Sequence, residues 1–462
     1  MSVGSAQLAD KPFTSVDKML QGSVPGLQAV STSGAPGSST DIRIRGIGSV
    51  RASASPLWVI DGVISATNDV SVNTTTAANA IYGSRAANGV ILVTTKKGKA
   101  GKTRLSVVSE FGQNSDAYHP SNKPTNSQQS QTLLRQAVIN ANEAPDIPGA
   151  DAFLTSPSGF GLPSNYATTY TNWHDEVARK GNQAQLNASL SGGNDKTQFY
   201  ASTGFFKQDG TTIVTDFKRY NGALSINYKA SERFNFSATL SGSSAIQHTP
   251  ANGGLFANPV GAYFFLPSWF TPYNDDGSFR YNDALGEFPL GGGSGWNPVI
   301  LAAWDKNTYT QTTFKGNVSC EAKILENLKF TSRYSAEYFD ISEDQYQNPF
   351  YGDAAASGGT ATSDYSRVFN YTWSNFADFK QALNSDNDFY FDLKLGYEAQ
   401  QYKLYTLQAA GNVFPQTLAL KWLASTQFLY HQFGFCPGKY QLQRPLYAQR
   451  ELPARRFFRI WG

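Results

Sequence analysis

IYGSRAANGVILVTTKKGK, residues 81–99, decides how the rest of the chain is read. Gly83 and Gly89 bracket a small-residue reversal at 84–88, where the backbone needs room and access to positive φ. Residues 90–95 (VILVTT) then form an apolar, β-branched run of strand length. Lys96, Lys97 and Lys99, with Gly98 among them, close that run. A short buried strand with a basic, glycine-broken exit marks a domain boundary. Before it, short strands are separated by Gly/Ser/Pro loops; after it, long alternating strands fill most of the chain.

Composition narrows the class without deciding it. The chain has 462 residues, 14% aromatic and only 16% charged, with 41 Gly, 24 Tyr and 31 Phe. A soluble domain usually carries about a quarter charged residues. Mean hydropathy is −0.37, and no apolar run approaches the ~20 residues that a spanning helix needs. A membrane β-barrel, whose strands hide apolarity in alternation, fits these values; a large soluble all-β protein fits them equally. The two cysteines, Cys320 and Cys436, exclude a disulfide framework and any CxxC pair. His119, His174, His248 and His431 are scattered, so neither a metal nor another cofactor is expected. A net charge of +3 argues neither for nor against nucleic acid.

Residues 81–99 resemble the end of the plug domain in TonB-dependent outer-membrane transporters of the SusC/RagA type. LQGSVPGL (20–27), IRIRGIG (42–48) and PLWVIDGV (56–63) agree with that family in its order. NWHDEVARKG (172–181), LSGGN (190–194) and residues 199–209 resemble the start of its barrel. Together these stretches span most of residues 13–400. The resemblance implies a membrane all-β fold, with a small α/β plug followed by part of a large antiparallel β-barrel. The expected organisation is a loose remnant at 1–12, plug at 13–100, barrel at 101–421 and a basic non-family tail at 422–462. One stretch departs from the family: SATNDVSVNTTTAANA (65–80) stands where an acidic helix-and-strand segment is usual.

Within the plug, Val16, Met19 and Leu20 share one face of a short helix expected over 15–21, capped by Thr14. At 40–47, Ile42, Ile44 and Ile47 alternate with Arg43 and Arg45, a half-buried strand. Gly46 and Gly48 imitate part of GxGxxG, but Arg51 stands at the last glycine position and no helix follows, so a Gly-rich turn is read. Residues 57–64 form another short strand, broken at Asp61–Gly62. The plug signature implied by the resemblance is Gly46, Asp61, Gly62, Tyr82, Gly83, Arg85 and Gly89, packing against the barrel wall. Arg43 and Arg45 are candidate ligand contacts.

Beyond Lys99 the clearest alternation sets Leu186, Ala188 and Leu190 apart from their neighbours. It sets Phe234, Phe236, Ala238 and Leu240 against Arg233, Asn235, Ser237 and Thr239. Phe330, Tyr334, Ala336 and Tyr338 oppose Lys329, Arg333 and Glu337; Phe389, Phe391, Leu393, Leu395 and Tyr397 oppose Asp392, Lys394 and Glu398. A lipid-facing and a lumen-facing side explain this pattern, and segments near ten residues exceed the common five or six. Short turns at 192–196 and 230–232 alternate with long loops at 114–170 and 241–308. The first loop has one helical patch, at 132–140. Trp173 reads as an interfacial anchor beside Asp175 and Glu176, an adjacent pair ill placed for acid/base catalysis. The second loop carries Phe264, Phe265, Trp269, Phe270, Tyr273, Trp296 and Trp304. Trp269 and Tyr273 are candidate sugar-stacking contacts, although packing of the loop is the preferred reading.

About nine strands are counted by Gln401, against about 22 in plugged transporters. Residues 1–10 carry no basic-plus-apolar leader, and alternation stops near Trp422. From His431, six bases (Lys439, Arg444, Arg450, Arg455, Arg456 and Arg459) face one acid, Glu451. A product truncated at both ends, with a frameshifted tail, is therefore expected. The family implies import of glycans, oligosaccharides or peptides across the outer membrane, without catalysis. Implied partners are a SusD-type surface lipoprotein, the TonB complex and outer-membrane lipid, with no nucleic acid. The rival reading is a soluble or surface β-rich carbohydrate-binding protein without transport.

Overall fold

Glycine, serine and proline interrupt the first hundred residues every few positions, so they fold as short pieces. A computed structural model describes residues 16–31, 33–38, 40–44, 46, 55–61, 63–64, 77–78, 85–86, 88–116, 125–162, 164, 166–251, 258–280, 296–382 and 390–412. Helix α1 (Val16–Leu20) precedes an antiparallel hairpin of β1 (Leu27–Ser31) and β2 (Thr40–Ile44). Strand β3 (Leu57–Ile60) turns at Asp61 into β4 (Val63–Ile64). Two-residue strands β5 (Ala77–Ala78) and β6 (Arg85–Ala86) pair in parallel. Strand β7 (Val90–Val93) lies parallel to β3, with Leu57 opposite Val90. Leu20, Ala29, Ile42 and Trp58 form the core of this unit, packed by Leu27, Ile91 and Val93. Trp58 and Val59 point to opposite faces and both are buried, as in a parallel strand covered on two sides. The expected helix over 15–21 and the break at Asp61 are both seen. Thr14, Val70 and Val72 lie outside the described residues.

From Gly101 onward, alternation takes over. The elements are β8 (Gly101–Asn114), helices α2 (Ser127–Asn140), α3 (Ile147–Thr155) and α4 (Trp173–Val177), then β9 (Gly181–Gly193), β10 (Thr197–Asp209), β11 (Asp216–Lys229) and β12 (Phe234–Thr249). Helices α5 (Pro259–Phe265) and α6 (Pro298–Trp304) precede β13 (Lys306–Leu325), β14 (Leu328–Gln347), β15 (Thr360–Ala382) and β16 (Tyr390–Asn412). Among the described residues, β8 to β16 form one nine-stranded sheet in sequence order, each pair antiparallel. A sandwich would need these strands divided between two sheets; here one meander makes a continuous wall. The strands run to 23 residues, longer than the ten read from alternation. They continue past the apolar band into the outer loops, so the second long loop is shorter than 241–308 at both ends.

The wall inverts the polarity of a soluble sheet. On one face Leu240, Phe314, Val318, Tyr334, Trp373 and Tyr397 are exposed. On the other face Thr313, Thr331, Ser335, Glu337, Asn370 and Thr372 are buried. Register places these sets on opposite sides: Val318 opposes Tyr334, whereas Lys315 opposes Glu337. Neighbouring outward rings also meet, Tyr334 stacking on Tyr371 at 5.9 Å and Trp373 meeting Tyr397 edge-on at 6.4 Å. Among the described residues, no helix is long and apolar enough to cross a membrane, which leaves strand crossing untouched.

The connections at the end of the wall away from the short turns are not loose loops. Sequence reading allows one helical patch at 132–140; the structure has α2 and α3, joined by a bidentate pair in which Arg135 donates to both carboxylate oxygens of Asp151 at 2.6 Å. The Tyr166 hydroxyl donates to the same carboxylate at 3.1 Å, and Arg135 holds Asp151 below the usual carboxylate range. Asn126 caps α2 with a capping box, a signal present in the sequence as N-S-Q-Q. Val138, Leu154, Tyr166, Trp173, Trp269 and Phe270 share one core. Trp173 is therefore an anchor between loops rather than at an interface: it is buried, and its indole N–H donates to the Pro267 carbonyl at 2.9 Å.

Candidate functional site: the seam between plug and wall

Described residues of the N-terminal unit touch the polar face of the wall. Gln247 of β12 donates to the Pro36 carbonyl at 2.7 Å, and the Gly37 backbone packs on the Phe217 ring of β11. Lower down, Asn317 of β13 donates to the Asp61 carbonyl at 3.5 Å. At the exit of the unit, Gly98 lies directly on the backbone of Phe199 in β10. A cavity of about 60 Å³ separates the two bodies at mid-height. Ile60, Asp61 and Thr95 line it from one side, and Thr239, Lys315, Asn317, Glu337 and Asn370 from the other.

Charge at this seam is paired. Lys315 bonds Glu337 at 2.8 Å, and the Glu337 side chain is only 7% exposed. The Lys315 ammonium also lies 5.3 Å from the centre of the Phe339 ring. Gln400 donates to Asn370 beside this pair at 3.0 Å. On the facing side, the Asp61 carboxylate accepts from the Thr95 N–H at 3.0 Å and from its hydroxyl at 2.6 Å. Asp61 sits at φ +50°, the left-handed region that Asp tolerates better than most residues. The turn between β3 and β4 is thus bolted to the segment that leaves β7. Asp61→Ala removes both bonds and is expected to cost about 1–3 kcal/mol. Faster trypsin cleavage at Lys96, Lys97 or Lys99 checks this; an unchanged cleavage rate refutes the clamp.

Among the described residues, these contacts hold the N-terminal unit against the wall. Residues 1–90 match the family model for the TonB-dependent receptor plug domain. TonB-dependent receptor P3 of Formosa agariphila is 28% identical over 402 residues, covering 84% of this chain and 37% of that protein. TonB-dependent receptor SusC of Bacteroides thetaiotaomicron is 26% identical over 436 residues, covering 87% of this chain and 41% of that protein. The first 90 residues match a TonB-dependent receptor plug domain, and the chain is similar to TonB-dependent receptors of the SusC/RagA type.

The receptor chain spans about two fifths of the length of these curated relatives. The RagAB peptide importer in its closed-closed state matches it in fold, with a TM-score of 0.73 at 22% identity over 90% of this chain and 49% of that one. Plug and partial all-β barrel thus agree with the fold read from alternation and motif order.

The receptor's sequence-read candidates fall in different places. Arg43 bonds Asp41 at 3.2 Å on the hairpin surface, while Arg45, Gly62, Tyr82 and Gly83 lie outside the described residues. Arg85 supplies backbone to β6. Gly46 and Gly89 have φ of +95° and +91°. A Cβ on Gly89 would meet the Ile44 side chain at 3.0 Å, so both conformation and closeness require glycine there. Trp269 is buried in the helical core. Tyr273 is exposed and stacks on Phe279 at 5.8 Å. Asp175 accepts from Asn172 at 2.6 Å, and burial, with Asp175 nearby, raises Glu176.

The seam residues Lys315, Asn317 and Asn370 escaped sequence reading, although Glu337 stood on the charged face. Their signal was available: each alternates with a large apolar neighbour, Lys315 with Phe314 and Asn370 with Phe369.

Proposed function

We propose that this chain is the plug, residues 13–100, and the first nine wall strands of an importer embedded in the bacterial outer membrane. The observation that carries the reading is the inverted wall: large apolar side chains face outward while a polar unit sits on the buried polar face. In water such a sheet would expose its aromatics; in lipid only that orientation satisfies both sides. The plug blocks the lumen, and ligand-linked release of its seam contacts opens a path. The TonB complex supplies the pull, and a SusD-type surface lipoprotein closes the outer mouth and delivers ligand. Cargo of the glycan, oligosaccharide or peptide class suits that assembly, and similarity to a peptide importer supports the last of these. Arg43, Arg45, Trp269 and Tyr273 are proposed ligand contacts. The motif residues Gly46, Asp61, Gly62, Tyr82, Gly83, Arg85 and Gly89 are proposed to shape the plug.

Fractionation tests this directly. The chain is expected in the outer-membrane pellet, released by detergent but not by salt or carbonate. Recovery from the aqueous phase would favour the rival, a soluble β-rich carbohydrate-binding protein. Val318, 52% exposed on the outer face, sharpens the test. Val318→Arg is expected to cost about 2–4 kcal/mol of assembly at the bilayer midplane, whereas Val318→Leu is expected to be silent. Equal membrane yields of the two variants would overturn the lipid-facing assignment.

A further inference from the structure

Two outer connections, residues 258–280 and 296–305 between β12 and β13 and residues 348–359 between β14 and β15, are joined by a buried polar chain. Asn348 and Asn297 are almost inaccessible, at 1% and 0%. The Asp305 carboxylate accepts from the Asn348 backbone N–H at 2.8 Å and from its side-chain amide at 2.6 Å. The Asn348 side-chain oxygen, Oδ1, in turn accepts from the Phe350 and Tyr351 N–H groups at 2.9 and 2.8 Å. The Tyr351 hydroxyl accepts from the Asn297 N–H at 2.7 Å, and the Asn297 amide donates to the Pro272 carbonyl at 2.9 Å. Around this chain Ile300, Leu301 and Tyr351 form an apolar core with Phe279, Trp296 and Trp304. The 348–353 turn is pressed so closely on α6 that a Cβ on Gly352 would lie 2.7 Å from the Leu301 side chain.

We propose that Asp305 is a proton-operated clasp: protonated, it holds the 348–353 turn against α6; ionised, it lets the turn lift. Asp305 is the one carboxylate in the chain of contacts just described, and both of its named donors come from neutral Asn348. The charge acting on it from the turn is another carboxylate, Asp353, which accepts from the Trp296 indole at 2.5 Å. Tyr346 of β14 also faces it. Lys306, which begins β13, follows it in the chain, and the Arg280 guanidinium turns to Thr271. Burial pushes Asp305 up to about 6; the Asn348 donors oppose that rise and Asp353 adds to it. A carboxyl group raised by closure favours the closed state below its open-state value and loses that contribution as pH rises through about 6. Closure is therefore expected to become about tenfold more favourable from pH 7 to pH 5, with little change from pH 7 to pH 8. The clasp would stand even if the import reading failed, because it rests on the burial and contacts of Asp305 and not on what the wall transports.

Hydrogen exchange of the full chain in detergent, corrected for the intrinsic pH dependence of amide exchange, tests it. Protection of the amides at residues 350–353 should rise about tenfold from pH 7 to pH 5, while α2 and α3 set the baseline. Asp305→Asn should hold the turn at its protected level across that range. Asp353→Asn should keep the pH response but move its midpoint down. Flat or acid-weakened protection at 350–353 in the natural chain would overturn the proposal. So would an Asp305→Asn chain with the natural response. If that variant fails to fold, an unmoved midpoint in Asp353→Asn overturns it instead.

Discussion

Lys315→Ala is expected to destabilise the folded chain by about 3–5 kcal/mol, the loss typical of stripping one partner from a buried ion pair. The size follows from where the pair sits. Glu337 is 6% exposed, so its carboxylate cannot exchange the Lys315 ammonium, 2.8 Å away, for bulk water. Phe339 stacks beneath that ammonium, and removing the lysine stem also opens space beside the ring. The midpoint of urea unfolding in detergent, followed by tryptophan fluorescence, reads the effect. Lys229→Ala is the control: its pair with Glu232 at 3.0 Å is exposed, and such pairs contribute about 0–1 kcal/mol. Adding Glu337→Gln to Lys315→Ala should recover part of the loss, because the stranded charge is then gone. A midpoint for Lys315→Ala no lower than for Lys229→Ala would show that the seam is open to solvent and its charges idle.

Gly98→Val is expected to unseat the plug. A Cβ at residue 98 would lie 2.4 Å from the Phe199 nitrogen, 2.5 Å from its oxygen and 2.6 Å from its carbonyl carbon. Those atoms belong to β10, which is held by β9 on one side and β11 on the other. Rotamer change cannot relieve a clash with ladder backbone, so the cost lies at or above the ~3 kcal/mol upper range of ordinary overpacking. The exit segment must move instead, carrying Thr95 and its bonds to Asp61 with it. Trypsin should then cut at Lys96, Lys97 or Lys99 in most molecules while the wall stays intact. Gly34→Val is the control, since a Cβ there meets nothing within 4 Å. Equal protease resistance of the two variants would remove the Gly98 contact from the account of how the plug is held.

Alternation at 234–240, 329–338 and 391–397 identified outward and inward faces correctly, because side chains on a strand alternate whatever the strand is packed against. It did not give strand ends: the outer extensions of β13 to β16 are mixed in polarity, and only pairing with a neighbour keeps them extended. The helical cap was half visible. Asn126 and Gln129 form a capping box in plain sequence order, but α3 is nine residues long and shares a core with α2 and with Trp269 and Phe270, more than a hundred positions away. The crowded aromatics at 264–304 could not be sorted from sequence into buried Trp269 and exposed Tyr273, since both are aromatic residues in a loop.

Local chemistry therefore settled much by itself: glycine where φ is positive, β-branched runs where strands form, a period of two along the wall, and motif order from plug to barrel. Tertiary structure alone decided which polar groups meet. Asp61 holds Thr95, 34 residues on; Asn317 reaches Asp61 across 256; Asp305 holds Asn348 across 43. Backbone preference is dictated by a residue and its immediate neighbours. A buried charge or amide takes whichever partner the closed fold brings within about 3 Å, and separation along the chain carries no record of that distance.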